Sequence, residues 1–172
     1  MKITNKVIVC SVAAVIGIIV TQHKDEIRTS EAGLAVIGNA EGCVRNPYQC
    51  PSDVLTVGIG STEASGQKIE NKVYSLDEIA KRWVHDIKIA EQCVNRYANG
   101  STMPQGAFDA LVSITFNVGC TTLKNSTLFK IARQGYTPQM CDQFRRWVYA
   151  GGQKLNGLVI RREKEKQLCL AR

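Results

Sequence analysis

The sequence predicts an α+β protein with a small N-terminal β-hairpin region, a larger helical lobe and, before both, a helix that inserts into a membrane. Residues 7–20 form an apolar run that follows a short basic segment. Residues 43–62 place Pro and Gly among short apolar stretches, which is typical of strands and turns. From residue 75 onward, apolar residues recur at helical spacing.

The composition narrows the class of protein. The chain has 172 residues, of which 44% are hydrophobic and 22% charged, with a net charge of +7. These values fit one globular domain and exclude a disordered, collagen-like or multi-span membrane protein. Seven cysteines favour an oxidising compartment, and an odd number leaves one of them without an internal partner. We therefore expect an exported chain with an anchor segment at 1–28 and a folded domain at 29–172.

The anchor segment has the layout of a secretory signal, with Lys2 and Lys6 before the apolar residues 7–20. As one helix this run is about 21 Å long, shorter than a hydrocarbon core of about 30 Å. No small-x-small cleavage site follows Val20, and the residues before Cys10 lack the small side chains of a lipoprotein signal. A cleaved signal peptide and a permanent anchor stay open. A marginal, uncleaved anchor that the Sec machinery exports and that later leaves the membrane fits best.

A helix and a hairpin follow the anchor. Thr29 or Ser30 caps a helix that ends at Glu41 and Gly42. The apolar face of this helix consists of Ala32, Leu34, Ile37 and Ala40. Residues 43–62 then predict a small β-hairpin region of short strands and turns.

The rest of the chain predicts helices. Ser75 and Glu78 form a capping box. The helix that they open has one apolar face, made of Ile79, Trp83, Ile87, Ala90 and Val94. Pro104 opens a second helix, in which residues 108–118 are almost wholly apolar and so belong at the centre of the helical lobe.

Three more helices are expected at 126–134, at 138–149 and at about 158–170. Residues 145–172 carry eight Lys and Arg against two Glu, which is +6 of the total charge. A solvated helix face with ion pairs is the ordinary interpretation of such a run, and attraction to an anionic polymer is the alternative. No helix-turn-helix, zinc or stacking signature accompanies it, so we expect no nucleic-acid partner.

Glu41 is the first candidate for chemistry. The C-terminus of a helix is the negative end of its dipole and favours a protonated carboxyl group, which can serve as a general acid. Cys50 follows nine residues later and Thr56 six residues after that, and the hairpin returns both toward Glu41. A Glu at a helix end is more often a surface residue, so this spacing needs support from elsewhere.

The spacing of Glu41, Cys50 and Thr56 resembles the Glu–Asp–Thr active-site pattern of phage-type lysozymes, glycoside hydrolase family 24. The similarity covers about residues 30–170 and includes LAVIGNAEGCVRNPYQCPSDVLTVGIGST, FNVG, STL, RRWVYAGG and GLVIRREKEKQLCL. It implies a two-lobed lysozyme fold and hydrolysis of the β-1,4 bond between N-acetylmuramic acid and N-acetylglucosamine in peptidoglycan. By the same resemblance, Glu41 is the general acid, and Thr56 helps place the attacking water for inverting chemistry.

Position 50 departs from the family pattern, because Cys50 stands where Asp is common. An aspartate is ionised at neutral pH and can stabilise positive charge on the sugar or orient water. A thiol does so only as a thiolate or a weak acceptor, and not at all within a disulfide. The departure leaves the role of this position open and indicates a means of control.

Three cysteines suggest how that control works. Cys43 and Cys50 lie seven residues apart across a predicted turn and can bridge, whereas a membrane-embedded Cys10 reaches neither. After release, the Cys10 thiolate attacks Cys43, forms Cys10–Cys43 and expels Cys50 as a free thiol. The alternative is that Cys10 is only an apolar residue of the anchor.

The chain is similar to the signal-arrest-release endolysins of this family, which are exported inactive, tethered and activated on release. It is therefore expected at the host inner membrane facing the periplasm, held by residues 7–20, and then free in the periplasm during host-cell lysis. We expect a monomer. We also expect no metal or cofactor, because neither the remaining cysteines nor His23 and His85 have the spacing of metal ligands. The remaining four cysteines are expected to form two structural disulfides, which can pair in three ways. These cysteines are Cys93, Cys120, Cys141 and Cys169.

Three competing interpretations stay open. A protease with Cys50 as nucleophile lacks a nearby His base. A lytic transglycosylase would use a single Glu and release anhydro-muramic ends. A catalytically inactive, membrane-tethered peptidoglycan-binding module would keep the fold and the basic helix, but the presence of both Glu41 and Thr56 favours an enzyme.

Overall fold

The computed structural model describes residues 6–171, so Lys2 of the predicted basic segment lies outside the described part. The chain divides into two compact units. The first comprises the residues up to Arg28 together with Ile37–Ile89, and the second comprises Thr29–Val36 together with the residues from Ala90 onward. Helices and small sheets together make an α+β architecture, as predicted.

The apolar N-terminal run is not a single helix. Residues 7–10 are extended, with Val9 bridged to Val44, and helix α1 begins after Ser11 and spans Val12–Gln22. The Ser11 side chain caps α1 by accepting a 3.2 Å hydrogen bond from the backbone N–H of Ala14. The buried face of α1 consists of Val15, Ile16 and Ile19. Within residues 6–171, no helix has both the length and the apolar character needed to cross a membrane.

The first unit contains the predicted hairpin and one further strand. Strands β1 (Val44–Gln49), β2 (Leu55–Gly58) and β3 (Ser61–Thr62) form an antiparallel sheet in the order β1-β2-β3. Gly58 has a φ of +67° and lies against Ile79, so that an added Cβ would come within 3.2 Å of that side chain. A glycine is therefore needed where β2 packs against the following helix.

Helices α2 (Glu31–Glu41) and α3 (Leu76–Tyr97) confirm the capping predictions. The Ser30 hydroxyl accepts a hydrogen bond from Gly33 N–H, and Ser75 and Glu78 exchange reciprocal bonds of 2.8 and 3.1 Å. The five apolar positions predicted for the face of α3 are all buried.

The centre of the second unit is helix α4 (Gln105–Val118), in which Gly106–Thr115 are buried. It packs against helix α7 (Asn156–Leu170). Two shorter helices, α5 (Cys120–Leu123) and α6 (Thr127–Arg133), lie between them in the sequence. The four remaining cysteines adopt one of the three open pairings, as the disulfides Cys93–Cys120 and Cys141–Cys169.

The prediction of a helix at 138–149 is wrong. Pro138–Arg146 is a 3-10 helix, and the chain then forms strands β4 (Tyr149–Ala150) and β5 (Gln153–Lys154), which pair as a hairpin. The φ angles of Gly151 and Gly152 are both positive, at +56° and +76°. These glycines turn a hairpin rather than close a helix.

Four of the basic residues between 145 and 171, the last residue that the structure describes, form ion pairs. The pairs are Arg145 with Glu163, Lys166 with Asp142, and Arg161 and Arg162 with Glu165. Burial raises the pKa of Glu165, while the two arginines act in the opposite direction. Ion pairing therefore holds for these four cations, but Arg161 and Arg162 are buried with Glu165, so this part of the helix is not the solvated face that was expected.

Candidate active site

Glu41 is the last residue of α2 and is half-buried. The following residue, Gly42, has a φ of +74°, which ends the helix and turns the chain toward β1. The turn between β2 and β3 passes close to the Glu41 carboxyl group. A Cβ added to Gly60, whose φ is +61°, would lie 2.9 Å from Glu41 Oε2. The backbone at Gly60 therefore fixes one side of the carboxyl group, and a side chain there would displace it.

Thr56 lies on β2 and is buried, with 3% of its surface exposed. Its hydroxyl donates a 3.0 Å hydrogen bond to the carbonyl oxygen of Val54. A hydroxyl has one proton, so the remaining capacity of Thr56 Oγ1 is as an acceptor. The residue directly opposite on β1 is Tyr48.

Cys50 follows β1 and is a free cysteine of intermediate exposure. Its sulfur lies 2.9 Å from the hydroxyl oxygen of Ser52, and its backbone N–H donates a 3.1 Å bond to Val54 O. The pKa of the Cys50 thiol is lowered, chiefly by the Ser52 hydrogen bond, with smaller contributions from backbone groups of Val54 and Ser52 and from Thr56. A larger fraction of this thiol is therefore ionised at a given pH than of an ordinary cysteine.

Tyr48 is a residue of this site that sequence reasoning missed. Burial raises the pKa of its hydroxyl first, and the negative charges of Glu41 and Cys50 raise it further. One side chain thus responds to both predicted site residues, which places Glu41, Cys50 and Tyr48 in one electrostatic neighbourhood. Its position two residues before Cys50, near the end of β1, was the available signal.

Cys10 and Cys43, the other two residues of the predicted switch, are joined as a disulfide with a Cα–Cα distance of 5.0 Å. Cys43 is buried and lies two residues after Glu41. The structure therefore holds the pairing that the predicted exchange would produce, with Cys50 free.

The two histidines make local contacts. His23 Nδ1 lies 2.6 Å from Glu26, which also pairs with Lys88 at 2.8 Å. The hydrogen bonds from His23 and Lys88 lower the pKa of Glu26 to about 2. His85 Nε2 lies 3.0 Å from the carbonyl oxygen of Ser65.

Comparison with known proteins gives the family. The model of the family described as phage lysozyme matches residues 38–165, which is most of the chain and includes Glu41, Cys50 and Thr56. The chain belongs to the phage lysozyme family. It is accordingly an enzyme, a lysozyme, as the sequence predicted.

This lysozyme is also similar to proteins of known lineage and structure. A protein named SAR-endolysin from Escherichia phage P1 is 39% identical over 94% of this chain and 91% of the relative. The solved structure of the active form of P1 phage endolysin Lyz superposes with a TM-score of 0.86 at 39% identity, covering 95% of each chain. The solved structure of the secreted inactive form of the same endolysin gives a TM-score of 0.58, covering 83% of this chain and 96% of that one.

Proposed function

We propose that this lysozyme is a phage endolysin that hydrolyses the β-1,4 bond between N-acetylmuramic acid and N-acetylglucosamine in peptidoglycan. The observation that carries the proposal is the arrangement around Glu41. The carboxyl group ends a helix, abuts the backbone of Gly60 and shares its neighbourhood with Tyr48 and Cys50. A carboxyl group held at one place beside a second ionisable group is what glycoside hydrolysis requires.

In the proposed mechanism Glu41 is the general acid and donates its proton to the leaving oxygen of the glycosidic bond. Water attacks the sugar from the opposite face. Because the Thr56 hydroxyl already donates to Val54 O, it accepts a hydrogen bond from this water and turns a water lone pair toward the sugar carbon.

Cys50 takes the place of the usual carboxylate in this proposal. The Ser52 hydroxyl and nearby backbone groups stabilise its thiolate. A thiolate supplies the negative charge that stabilises an oxocarbenium-like transition state, and it acts as the base that takes the proton lost by the attacking water. A disulfide at this position would supply neither, so bonding of Cys50 to Cys43 is expected to inactivate the enzyme.

Activation is proposed to occur by thiol–disulfide exchange. The Cys10 thiol loses its proton and the thiolate attacks Cys43 Sγ. The Cys10–Cys43 bond forms, the Cys43–Cys50 bond breaks, and Cys50 leaves as a thiolate, with no net oxidation. Two findings support this direction: Cys10 and Cys43 are bonded while Cys50 is free, and the chain is more similar to the active than to the inactive form of P1 Lyz.

The location follows from the same proposal. Residues 1–28 act as a signal-arrest-release segment exported by the Sec machinery, and residues 29–172 act as the catalytic domain. Residues 7–20 hold the inactive enzyme at the host inner membrane, and release gives a monomeric periplasmic enzyme that acts on peptidoglycan. The basic segment before an apolar run of 14 residues supports export and weak retention.

A Glu41→Gln substitution tests the catalytic proposal. We expect hydrolysis of purified peptidoglycan to fall at least about 100-fold, because a general acid contributes on that scale, while binding to the wall is retained. Glu31→Gln, at the exposed start of the same helix, is the matched control and is expected to keep activity.

Mass analysis of the digest completes the test. A hydrolase leaves muramic acid as a reducing end, whereas a transglycosylase would leave anhydro-muramic ends. If wild type and Glu41→Gln both bind the wall and neither cleaves it, the protein is a binding module and the proposal is wrong.

A further inference from the structure

The extended N-terminal residues form an additional strand on the sheet of the first unit. Val9 bridges antiparallel to Val44 at the outer edge of β1. On either side of this bridge, Cys10 N–H donates to Cys43 O at 2.9 Å and Arg45 N–H donates to Ile8 O at 2.7 Å. The edge of β1 thus pairs with a segment about 35 residues away in the sequence rather than with solvent.

The Asn46 side chain hydrogen-bonds the backbone of the same segment. Its Oδ1 accepts a 2.7 Å hydrogen bond from Ile8 N–H, and its Nδ2 donates a 2.9 Å bond to Lys6 O. Only 5% of Asn46 is exposed. Both ends of a buried amide are therefore satisfied by one extended peptide, in the way that a strand-binding groove satisfies its ligand.

Several groups on the edge of β1 would lack these hydrogen-bond partners without the N-terminal segment, although Arg45 O also accepts a bond from Tyr74 N–H. An unpaired strand edge presents open N–H and C=O groups, and a buried Asn without partners costs free energy. Arg45 N–H, Cys43 O and the Asn46 amide all find their partners in residues 6–10. These groups together form one site of defined register.

We infer that the edge of β1 together with Asn46 is a binding site for residues 6–10 as an extended strand, and that this site selects Cys10 as the partner of Cys43. The inference rests on the proposed function, whose exchange step it directs. The selection is geometric: the bond from Cys10 N–H to Cys43 O fixes the two residues side by side, with their Cα atoms 5.0 Å apart. Asn46 is a positioning residue that acts through the backbone of Lys6 and Ile8.

Helix α1, which follows this strand, packs against α2 in the same unit. A Cβ added to Gly38 would meet Val12 Cγ1 at 2.5 Å and Trp83 Cη2 at 3.0 Å. The start of α1 therefore occupies space that is left by the absence of a side chain on α2. Strand and helix together hold the N-terminal segment by shape and hydrogen bonds in addition to the disulfide.

The register of the added strand supplies a matched pair of variants. In an antiparallel strand, successive backbone N–H groups point to opposite sides. Ile8 N–H faces Asn46, so Val9 N–H faces away from β1. Ile8→Pro removes a hydrogen bond of the site, whereas Val9→Pro makes the same chemical change on the unused side.

The test uses the purified full-length chain, reduced and then equilibrated in a glutathione redox buffer. Alkylation of free thiols and mass mapping give the ratio of Cys10–Cys43 to Cys43–Cys50. We expect this ratio to fall roughly tenfold in Asn46→Ala and in Ile8→Pro, as the loss of one or two buried hydrogen bonds requires. Val9→Pro and Asn156→Ala, an exposed asparagine of the second unit, are expected to keep the wild-type ratio.

The disulfides Cys93–Cys120 and Cys141–Cys169 report folding in every sample. An unchanged ratio in Asn46→Ala, or an equal loss in Ile8→Pro and Val9→Pro, would overturn the inference. If Asn46→Ala does not fold, the two proline variants decide alone. Peptidoglycan hydrolysis is measured in the same samples, because a wild type that never cleaves would refute the proposed function and leave the pairing result standing.

Discussion

The disulfides of the two units differ in what surrounds them rather than in the chain they close. Cys10–Cys43 spans 33 residues, and the two bridges of the second unit span 27 and 28. Chain entropy alone would give each of them a similar stabilisation, about 3.5 kcal/mol. Cys43 differs because a third cysteine, Cys50, follows it by seven residues and is free.

Burial separates the two regions as well. Cys141 and Cys169 are fully buried, whereas Cys10 is of intermediate exposure on an added edge strand. A bridge exchanges when a competing thiol and a path for attack exist together, and loop length decides neither. The proposed exchange assigns both conditions to the first unit, where Cys50 is free and Cys10 is partly exposed, and assigns the bridges of the second unit a fixed structural role.

The largest expected effect comes from removing the attacking thiol. In Cys10→Ser we expect Cys43 to pair with Cys50, which places the site thiol in a disulfide. Peptidoglycan hydrolysis by the oxidised protein should fall about 100-fold or more and return with mild reductant, since loss of a group at the reacting centre is worth that much. Hydrolysis assays before and after reductant measure this.

Cys50→Asp provides the control for that result. The carboxylate restores the residue expected at this position and removes the exchange partner of Cys43. Cys10→Ser in this background should be active without reductant. Full activity of the single variant Cys10→Ser in its oxidised form would show that the two regions do not differ in the way described.

Removing a fixed bridge should have a smaller effect on activity and a clear one on stability. We expect the double variant Cys141→Ala, Cys169→Ala to lose about 3.5 kcal/mol of unfolding free energy, by chain entropy, and to stay active at 25 °C. Denaturant unfolding measures the loss. A redox-dependent activity in this variant would contradict the contrast between the two units.

The acidity of the Cys50 thiol should give an intermediate effect. Because its pKa is lowered, the Cys50 thiol ionises at lower pH than an ordinary thiol, and its rate of alkylation rises at correspondingly lower pH. Because Ser52 is the main cause, Ser52→Ala should move the midpoint of the rate profile to higher pH. Ser101→Ala, an exposed serine of the second unit, is the control. An unchanged midpoint in Ser52→Ala would remove Ser52 as the cause.

The smallest effect is expected at the end of the N-terminal segment. The pKa of Glu26 is lowered from 4.5 to about 2 by His23 and Lys88. Its contribution is therefore complete above about pH 4.5 and is lost as the pH falls toward 2. Protection of residues 23–27 from hydrogen exchange should fall over this range in wild type, and it should fall less in His23→Ala, which removes the larger cause of the lowered pKa. If this protection in wild type did not change over the same pH range, the stabilising role of the Glu26 interactions with His23 and Lys88 would be contradicted.

Local signals predicted the helices well. The capping box at Ser75 and the apolar spacing of α3 are properties of neighbouring residues, and the structure confirms both. The prediction of a helix at 138–149 fails because the two glycines that follow, Gly151 and Gly152, can either end a helix or turn a hairpin. The pairing of β4 with β5 decides between these, and that information is not local.

The candidate site likewise contains residues that the sequence alone marks and residues whose roles depend on the fold. The spacing of Glu41, Cys50 and Thr56 marked candidates because each residue type carries chemistry. Asn46 and Tyr48 carry no such mark, and their roles depend on which groups the fold brings to them. The charge run at 145–172 was equally visible in the sequence, but only the structure shows which of its cations are paired.

The apolar face of α1 implies a way to adjust timing. Val15, Ile16 and Ile19 are buried in the folded enzyme, whereas a Cβ added to Gly17 would meet no atom within 4 Å. Under the proposed release mechanism, a larger apolar residue at Gly17 would strengthen retention in a bilayer, while its Cβ would meet no atom of the folded protein within 4 Å. That mechanism therefore assigns the delay before lysis and the folding of the released enzyme to different positions of the same 14 residues.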